Sequence, residues 1–436
     1  MSAVQSSISS EQLEDQLKGL SPRHLQRAMT NLEVVNGVFF CDLDGFLIRW
    51  HDFIAHFNRM NLWDVLDPRV AMRIKNCAAG LDKALERVGL TARDLHCAEI
   101  IFSGRGTEVI AKVGLGDQTL LLKSCPTRNT AHSEYAVYGR LAPALESTKL
   151  AFPRCLASAA GDRDYVILLE YLQAPRYLTG RHLPVDEKLR VFADAFADLV
   201  TKQSFHEAAR GWPQHEFRPN MEIESLLSSL QDGQTRWISH LSDHQQLFIA
   251  ASKYIAEHGL IHAAHADAAP ANMLFDQTAE KVVLFDFQTF KLAPLGLDLG
   301  TFSADVLRLG LARNFDQWFN TIVRSYTKEV GARLSLDERQ CVAIRTCATL
   351  SFILRCIRRL REAASDLDEF GRTLVRLEGS MKRAIDELHD LLSVPGTRYY
   401  LDPERASVVR SLQSRALASV VRSAQQTFRR ITRLFL

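Results

Sequence analysis

The segment His265-Ala266-Asp267-Ala268-Ala269-Pro270-Ala271-Asn272 offers a carboxylate and a carboxamide within one short turn, and Asp286-Phe287-Gln288 follows soon after. All three functional side chains, Asp267, Asn272 and Asp286, carry oxygen donors. Mg²⁺ is a hard ion that takes oxygen ligands and keeps some of its water. A carboxylate on the leading side of such a turn can orient an attacking hydroxyl and accept its proton. This is the equipment of phosphoryl transfer, where positioning and charge neutralisation carry most of the catalysis. Asp267 is the candidate catalytic group, and Asn272 and Asp286 are the candidate metal ligands.

These residues need rigid supports, and the flanking sequence supplies them. Val282-Val283-Leu284-Phe285 is an apolar run of strand length ending at Asp286, and Met273-Leu274-Phe275 makes a second short strand after Asn272. A hairpin of the two would carry Asn272 on one side and Asp286 on the other, with Asp267 on the loop leading in.

Residue type, order, spacing and strand context together resemble the catalytic and metal-binding loops of the protein-kinase-like superfamily. The resemblance is to its aminoglycoside-phosphotransferase and choline-kinase branch. That branch typically reads His-Gly-Asp-x-x-x-x-Asn, then an Asp closing a hydrophobic strand, then an Asp-Leu pair, here Asp298-Leu299. The Asp-Phe-Gln spelling is similar to that of ecdysteroid-kinase-like and methylthioribose-kinase-like members. The resemblance implies an α+β fold with two lobes, one a small antiparallel sheet and the other large and mainly helical. It also implies ATP and Mg²⁺ as cofactors and a small-molecule acceptor.

Such a fold requires a glycine turn between strands and a lysine for the nucleotide phosphates. Ala98–Phe102 reads as a strand, 103–107 as a turn, Val109–Val113 as the returning strand and Thr119–Lys123 as a third, after a turn at Gly116-Asp117. Gly104 and Gly106 would let backbone N–H groups approach phosphate oxygens. The resemblance gives Lys123 the α- and β-phosphates and Glu134, on a helical segment over 131–141, as its partner. The buried strand Tyr165–Leu169 runs into Glu170-Tyr171-Leu172, and in related folds this exit is the hinge that reads the adenine edge, so Glu170 and Leu172 join the candidate cofactor-binding set. Departures are visible: Ala266 replaces the usual glycine, Ala268 and Ala269 a common Leu-His pair, and Ala271 a frequent glycine.

Downstream, helical stripes cover 186–210, 242–258, 301–330 and 336–364. The last two should build the acceptor pocket. Arg355, Arg358, Arg359 and Arg361 are expected on a solvated face, with an anionic acceptor or a partner as the other reading. The domains expected are an extension at 1–95 packing on the small lobe, the small lobe at 96–172, the large lobe at 173–400 and a basic helix at 401–436. Within the extension, an apolar strand leads into Asp42-Leu43-Asp44-Gly45, similar to the opening of haloacid-dehalogenase-like phosphatases. Phe46 stands where threonine is usual, and too little chain follows for that core sheet, so a degenerate or structural role is expected. The tail has seven arginines and no acidic residue from Arg405 on, with Leu417, Val421, Ala424, Phe428, Ile431 and Phe435 at helical steps. It suits a docked C-terminal helix or, alternatively, contact with an anionic membrane surface or a protein.

The chain has 436 residues, 47% hydrophobic, enough for a large core, and a net charge of +2 that gives no reason to expect nucleic acid. Eight scattered cysteines without Cys-x-x-Cys fit a reducing compartment, and no apolar signal core or membrane-length apolar run is evident, so a cytoplasmic protein is expected. The functional expectation is an ATP- and Mg²⁺-dependent kinase acting on a hydroxyl, or an amine, of a small molecule. A nucleotide-binding pseudokinase serving as scaffold or regulator, and a kinase acting on a protein, remain as alternatives.

Overall fold

The computed structural model describes residues 83–91, 94–101, 109–126, 130–142, 149–161, 164–172, 185–230, 240–276, 281–312 and 314–393. The Asp42–Gly45 segment, Gly104, Gly106 and the basic tail lie outside them. The chain divides into two compact units, one formed by Met1–Pro175 with Leu274–Phe290 and the other by Arg176–Met273 with Lys291–Leu436.

The first unit is built on a five-stranded antiparallel sheet in the order β1-β2-β3-β6-β5. Its strands are β1 (Leu95–Ile101), β2 (Val109–Leu115), β3 (Gln118–Pro126), β5 (Cys155–Ala160) and β6 (Asp164–Glu170). The β2–β3 turn holds two residues, and Gly116 takes φ +55°, the positive value that hairpin turns of this length demand. Along β3 the alternation of faces does the sorting: Leu120 and Leu122 join Leu85, Val113 and Val166 in the core, and Lys123 therefore points to the opposite face. A second sheet, β4-β9-β8, pairs Leu150–Ala151 (β4) in parallel with Lys281–Leu284 (β9), beside Met273–Asp276 (β8). The 131–141 segment, expected as one helix, is a 3-10 turn over Thr130–His132, an α turn over Glu134–Ala136 and a π-helix over Val137–Leu141.

The second unit is mainly helical. Its helices are α1 (Val185–Thr201), α2 (Gln203–Ala208), α3 (Pro219–Ser229), α4 (His240–Asp243), α5 (Gln245–His258), α6 (Leu297–Arg308), α7 (Phe315–Leu334), α8 (Glu338–Ala363) and α9 (Leu367–Ser393), with a β7 (Ile261–Ala264) and β10 (Lys291–Pro294) ribbon. The 301–330 stripe is thus two helices, divided at Gly310. Leu311 N–H reaches Val306 C=O, Gly310 N–H reaches Leu307 C=O, and Gly310 has φ +66°, so α6 ends in a Schellman motif.

Helix α8 is central. It opens on a capping box, in which Asp337 accepts from Gln340 N–H and Gln340 accepts from Asp337 N–H. By length and hydropathy it could cross a membrane, yet 78% of its apolar window is buried inside the protein, so packing accounts for its composition. Helix α6 comes so close that a Cβ on Gly300 would strike Ala348 C=O and the Phe352 backbone, and one on Gly296 would strike Ile344 C=O. Only glycine permits that approach.

Candidate active site

In the sheet-bearing unit, Lys123 is buried with its ammonium 2.7 Å from Glu134 Oε2 and 2.6 Å from Asp286 Oδ1. Glu134 is itself buried and fully used. Its Oε2 also accepts from the Tyr165 hydroxyl at 3.0 Å, and its Oε1 accepts from Phe287 N–H at 3.1 Å. Burial alone would push the Lys123 pKa down, but the Glu134 and Asp286 carboxylates outweigh it and hold the pKa above its ordinary value. Burial raises the Tyr165 hydroxyl, with the Glu134 charge adding to the effect.

Asp286 sits at φ 66°, ψ 60°, a left-handed conformation that costs a non-glycine residue about 1–2 kcal/mol. What holds it there is the next residue. Phe287 is tied by its N–H to Glu134, and its ring packs 5.0 Å from Phe152 and edge-on at 5.7 Å to Tyr138. Asp286 Oδ1 is engaged by Lys123, while its side chain remains 37% exposed. Glu170 closes β6, with Oε1 accepting from Arg154 N–H at 2.9 Å and its own N–H donating to Arg154 C=O at 3.0 Å. Tyr171 N–H reaches Thr119 C=O at 3.3 Å, and Leu172 is half-buried at the end of that stretch.

In the helical unit, Asp267 follows β7. Its Oδ1 accepts from Arg355 Nη2 at 2.6 Å, and its Oδ2 from Asn272 Nδ2 at 3.3 Å. Asn272 Nδ2 also donates to the Asp267 C=O at 3.0 Å, so the amide nitrogen is committed to the loop and the carboxamide oxygen is left for another partner. Buried His265 accepts from Asp267 N–H through Nδ1 at 3.3 Å. Ala266 has φ 63°. Asp298, buried in the first turn of α6, takes the N–H groups of His265 (2.9 Å) and Ala266 (2.7 Å), one on each carboxylate oxygen. Burial pushes its pKa up against the lowering effect of those bonds.

The expectation of a solvated arginine face on α8 is overturned. Arg355 is buried and bridges Asp267 to Asp305, which lies 2.9 Å away on α6. Asp305 also accepts from Arg359 at 2.7 Å; burial would raise its carboxyl, but the Arg359 and Arg355 guanidiniums together hold it below its usual value. Arg358 and Arg361 pair with Glu222 on α3. Arg355 and Asp305 are the residues missed from the candidate set; their partners stand 50 to 88 residues apart in sequence, and no local pattern marks them.

The structure brings Lys123, Glu134 and Asp286 together in one unit, and Asp267 and Asn272 together in the other. Taken singly, each unit offers an oxygen donor of the kind Mg²⁺ takes. Asp286 offers a partly exposed carboxylate and Asn272 an uncommitted carboxamide oxygen, and no group of three or more His, Cys, Asp or Glu suited to a metal occurs among the described residues. Mg²⁺ is commonly held by one or two protein carboxylates with substrate phosphates and water completing its shell.

Several solved structures are similar to this chain. A spectinomycin phosphotransferase in complex with ADP and spectinomycin is 12% identical, with 72% of this chain and 98% of that one covered and a TM-score of 0.44. A microcompartment-associated aminopropanol kinase is 15% identical, covering 71% and 97% at 0.46, and a Plasmodium vivax ethanolamine kinase is 12% identical, covering 85% and 99% at 0.44. No curated protein matches. The sequence model of the phosphotransferase enzyme family matches residues 103–333, more than half of the chain and all the candidate residues in both units. The chain belongs to that family, whose activity is phosphotransfer.

Proposed function

We propose that the protein is an ATP- and Mg²⁺-dependent kinase that phosphorylates a hydroxyl of a small molecule. The observation that carries this reading is the buried triad of Lys123, Glu134 and Asp286. Burying an ammonium between carboxylates is weak evidence for stability, because desolvation offsets most of the attraction. Such clusters concentrate where a charge must be presented to a ligand. Glu134 holds the Lys123 ammonium in place to meet nucleotide phosphates. Asp267 receives the acceptor hydroxyl and its proton, held in position by the Asn272 amide and Arg355. Asn272 and Asp286 would hold Mg²⁺, which neutralises phosphate charge when bound. Glu170 and Leu172 belong to the segment proposed to meet the base through main-chain groups, and Gly104 and Gly106, outside the described residues, are proposed to meet the phosphates.

A second reading, a nucleotide-binding scaffold without turnover, draws on one observation: both Asp267 carboxylate oxygens are already engaged. Two measurements separate the readings. Melting temperature is followed with ATP, Mg²⁺ and both, since a ligand that binds only the folded state raises it. ADP release is then screened across alcohols. The kinase reading expects a Mg²⁺-dependent shift and acceptor-dependent release that Asp267→Asn lowers by about 10²–10⁴-fold, the usual worth of a general base. Release at wild-type rate from Asp267→Asn would remove Asp267 from its role, and an ATP shift indifferent to Mg²⁺ without release would leave the scaffold.

A further inference from the structure

The helical unit contains a cavity of about 590 Å³ whose wall includes Ala266 and Arg355, the neighbour and the bonded partner of Asp267. One end of this space therefore reaches the loop proposed to receive the acceptor hydroxyl. Five cationic side chains line it, Arg218, Lys291, Arg355, Arg358 and Arg361, against the two carboxylates of Glu216 and Glu222. Arg218 is satisfied by Glu216 at 2.5 Å, outside the matter. Glu222 is shared, 2.8 Å from Arg358 and 3.6 Å from Arg361, so one carboxylate serves two guanidiniums. Lys291, half-buried on β10, has no carboxylate within ion-pair distance among the described residues. Burial and the Arg358 charge both push its pKa down, with the Asp298 charge opposing them. His215 is pushed down to about 4 by burial and then by Lys291 and Arg358, so at neutral pH it adds hydrogen-bonding capacity without charge. Cationic walls of this kind attract oxyanions and repel amines.

We propose that this cavity is the acceptor pocket and that the acceptor is an alcohol bearing an oxyanion, a carboxylate or a phosphate ester, gripped by Lys291 and Arg358. This rests on the kinase reading given above and names its substrate class. The acceptor oxygen forms a bond to the γ-phosphorus of the nucleotide, the bond from that phosphorus to the β–γ bridging oxygen breaks, and the hydroxyl proton passes to Asp267. The oxyanion takes no part in bond making. It fixes the molecule by its far end, with arginine suited to two parallel hydrogen bonds and lysine to a point contact.

The test uses the full chain with glycerate, glycerol 3-phosphate, glycerol and ethanolamine, measuring ADP release and, separately, calorimetric binding without nucleotide. The expected result is a kcat/KM at least tenfold higher for one of the two anionic alcohols than for glycerol or ethanolamine, and the better of the two identifies the oxyanion. Lys291→Glu should lower that value at least tenfold, chiefly through KM, while the KM for ATP changes less than twofold; Lys291→Met gives the same direction should charge reversal impair folding. Equal or better use of ethanolamine, or anionic kcat/KM within twofold of wild type in both Lys291 variants, would overturn the proposal while leaving the kinase reading standing. If no alcohol drives release, calorimetry decides. Binding of glycerol 3-phosphate that Lys291→Met weakens tenfold supports an anion pocket although the kinase reading has failed, and absence of binding overturns the pocket too.

Discussion

Ala266 occupies a left-handed conformation, φ 63°, where the resembling family carries glycine. A methyl side chain there costs about 1–2 kcal/mol, and the conformation persists because Asp298 ties down both the His265 and the Ala266 N–H. Ala266→Gly is therefore expected to raise stability by up to about 1 kcal/mol in urea unfolding, the relief of strain exceeding the added freedom of the unfolded chain. Asp298→Asn should act in the opposite direction. The amide keeps one acceptor oxygen and leaves one buried N–H facing an NH₂, a loss of about 1–3 kcal/mol, and the loop that carries Asp267 loosens with it. The check is a lower denaturation midpoint together with a lower kcat for the best acceptor. Lys123→Met removes the cation from two carboxylates, one of them buried, and breaking such a cluster on one side costs about 3–5 kcal/mol. Its melting temperature should fall and its shift with ATP should vanish. A variant that melted as wild type and still responded to ATP would exclude Lys123 from the nucleotide site.

Among the elements, α6 and α8 approach through Gly300, where an added methyl would meet the Ala348 carbonyl and the Phe352 backbone. Neither is the end of a flexible side chain, so Gly300→Ala should destabilise by about 1–3 kcal/mol or more, read as a reduced urea midpoint with unchanged slope. Elements of this kind were unevenly legible. The strands around Lys123 and Asp286 declare themselves by alternation and by short apolar runs bounded by Gly-Asp or polar turns, and β2, β3, β6 and β9 lie within a few residues of the expected spans. The division of the 301–330 stripe was written in Gly310, whose left-handed conformation ends α6, but a continuous apolar period on both sides concealed it. The π-helical turn after Glu134 could not be read from spacing, because five residues are little more than one turn of either helix and fix no period. Nor could the arginines of α8. A run of basic residues on one helix looks the same whether water or buried aspartates face it, and the partners Asp267, Asp305 and Glu222 come from three other segments.

At the scale of the whole molecule, burial of neutral imidazoles makes stability depend on pH. His262 is buried beside the His206 ring at 4.6 Å, its Nδ1 accepts from the Ala263 N–H, and burial, then His206, pushes its pKa down to about 4 from 6.5. Between those values the unfolded chain binds a proton that the folded chain does not. Stability from this group is thus full above pH 6.5 and declines as pH falls toward 4, by roughly 2 kcal/mol between pH 7.5 and 5. Urea midpoints across that interval should show the decline, and His262→Phe should remove this group's share of it while the similar share of His215, also held down to about 4, remains.

The chain enters the sheet-bearing unit a second time with Leu274–Phe290 and leaves again. A fragment ending at Pro175 would consequently lack β9, depriving Leu150–Ala151 of its parallel neighbour and Lys123 of one counter-charge. Neither unit can be excised by a single cut. Any chimaera that exchanges this unit between relatives must graft two separate stretches of sequence, and a transplant of the first alone is expected to arrive with one of the two carboxylates beside its ammonium missing and its small sheet unfinished.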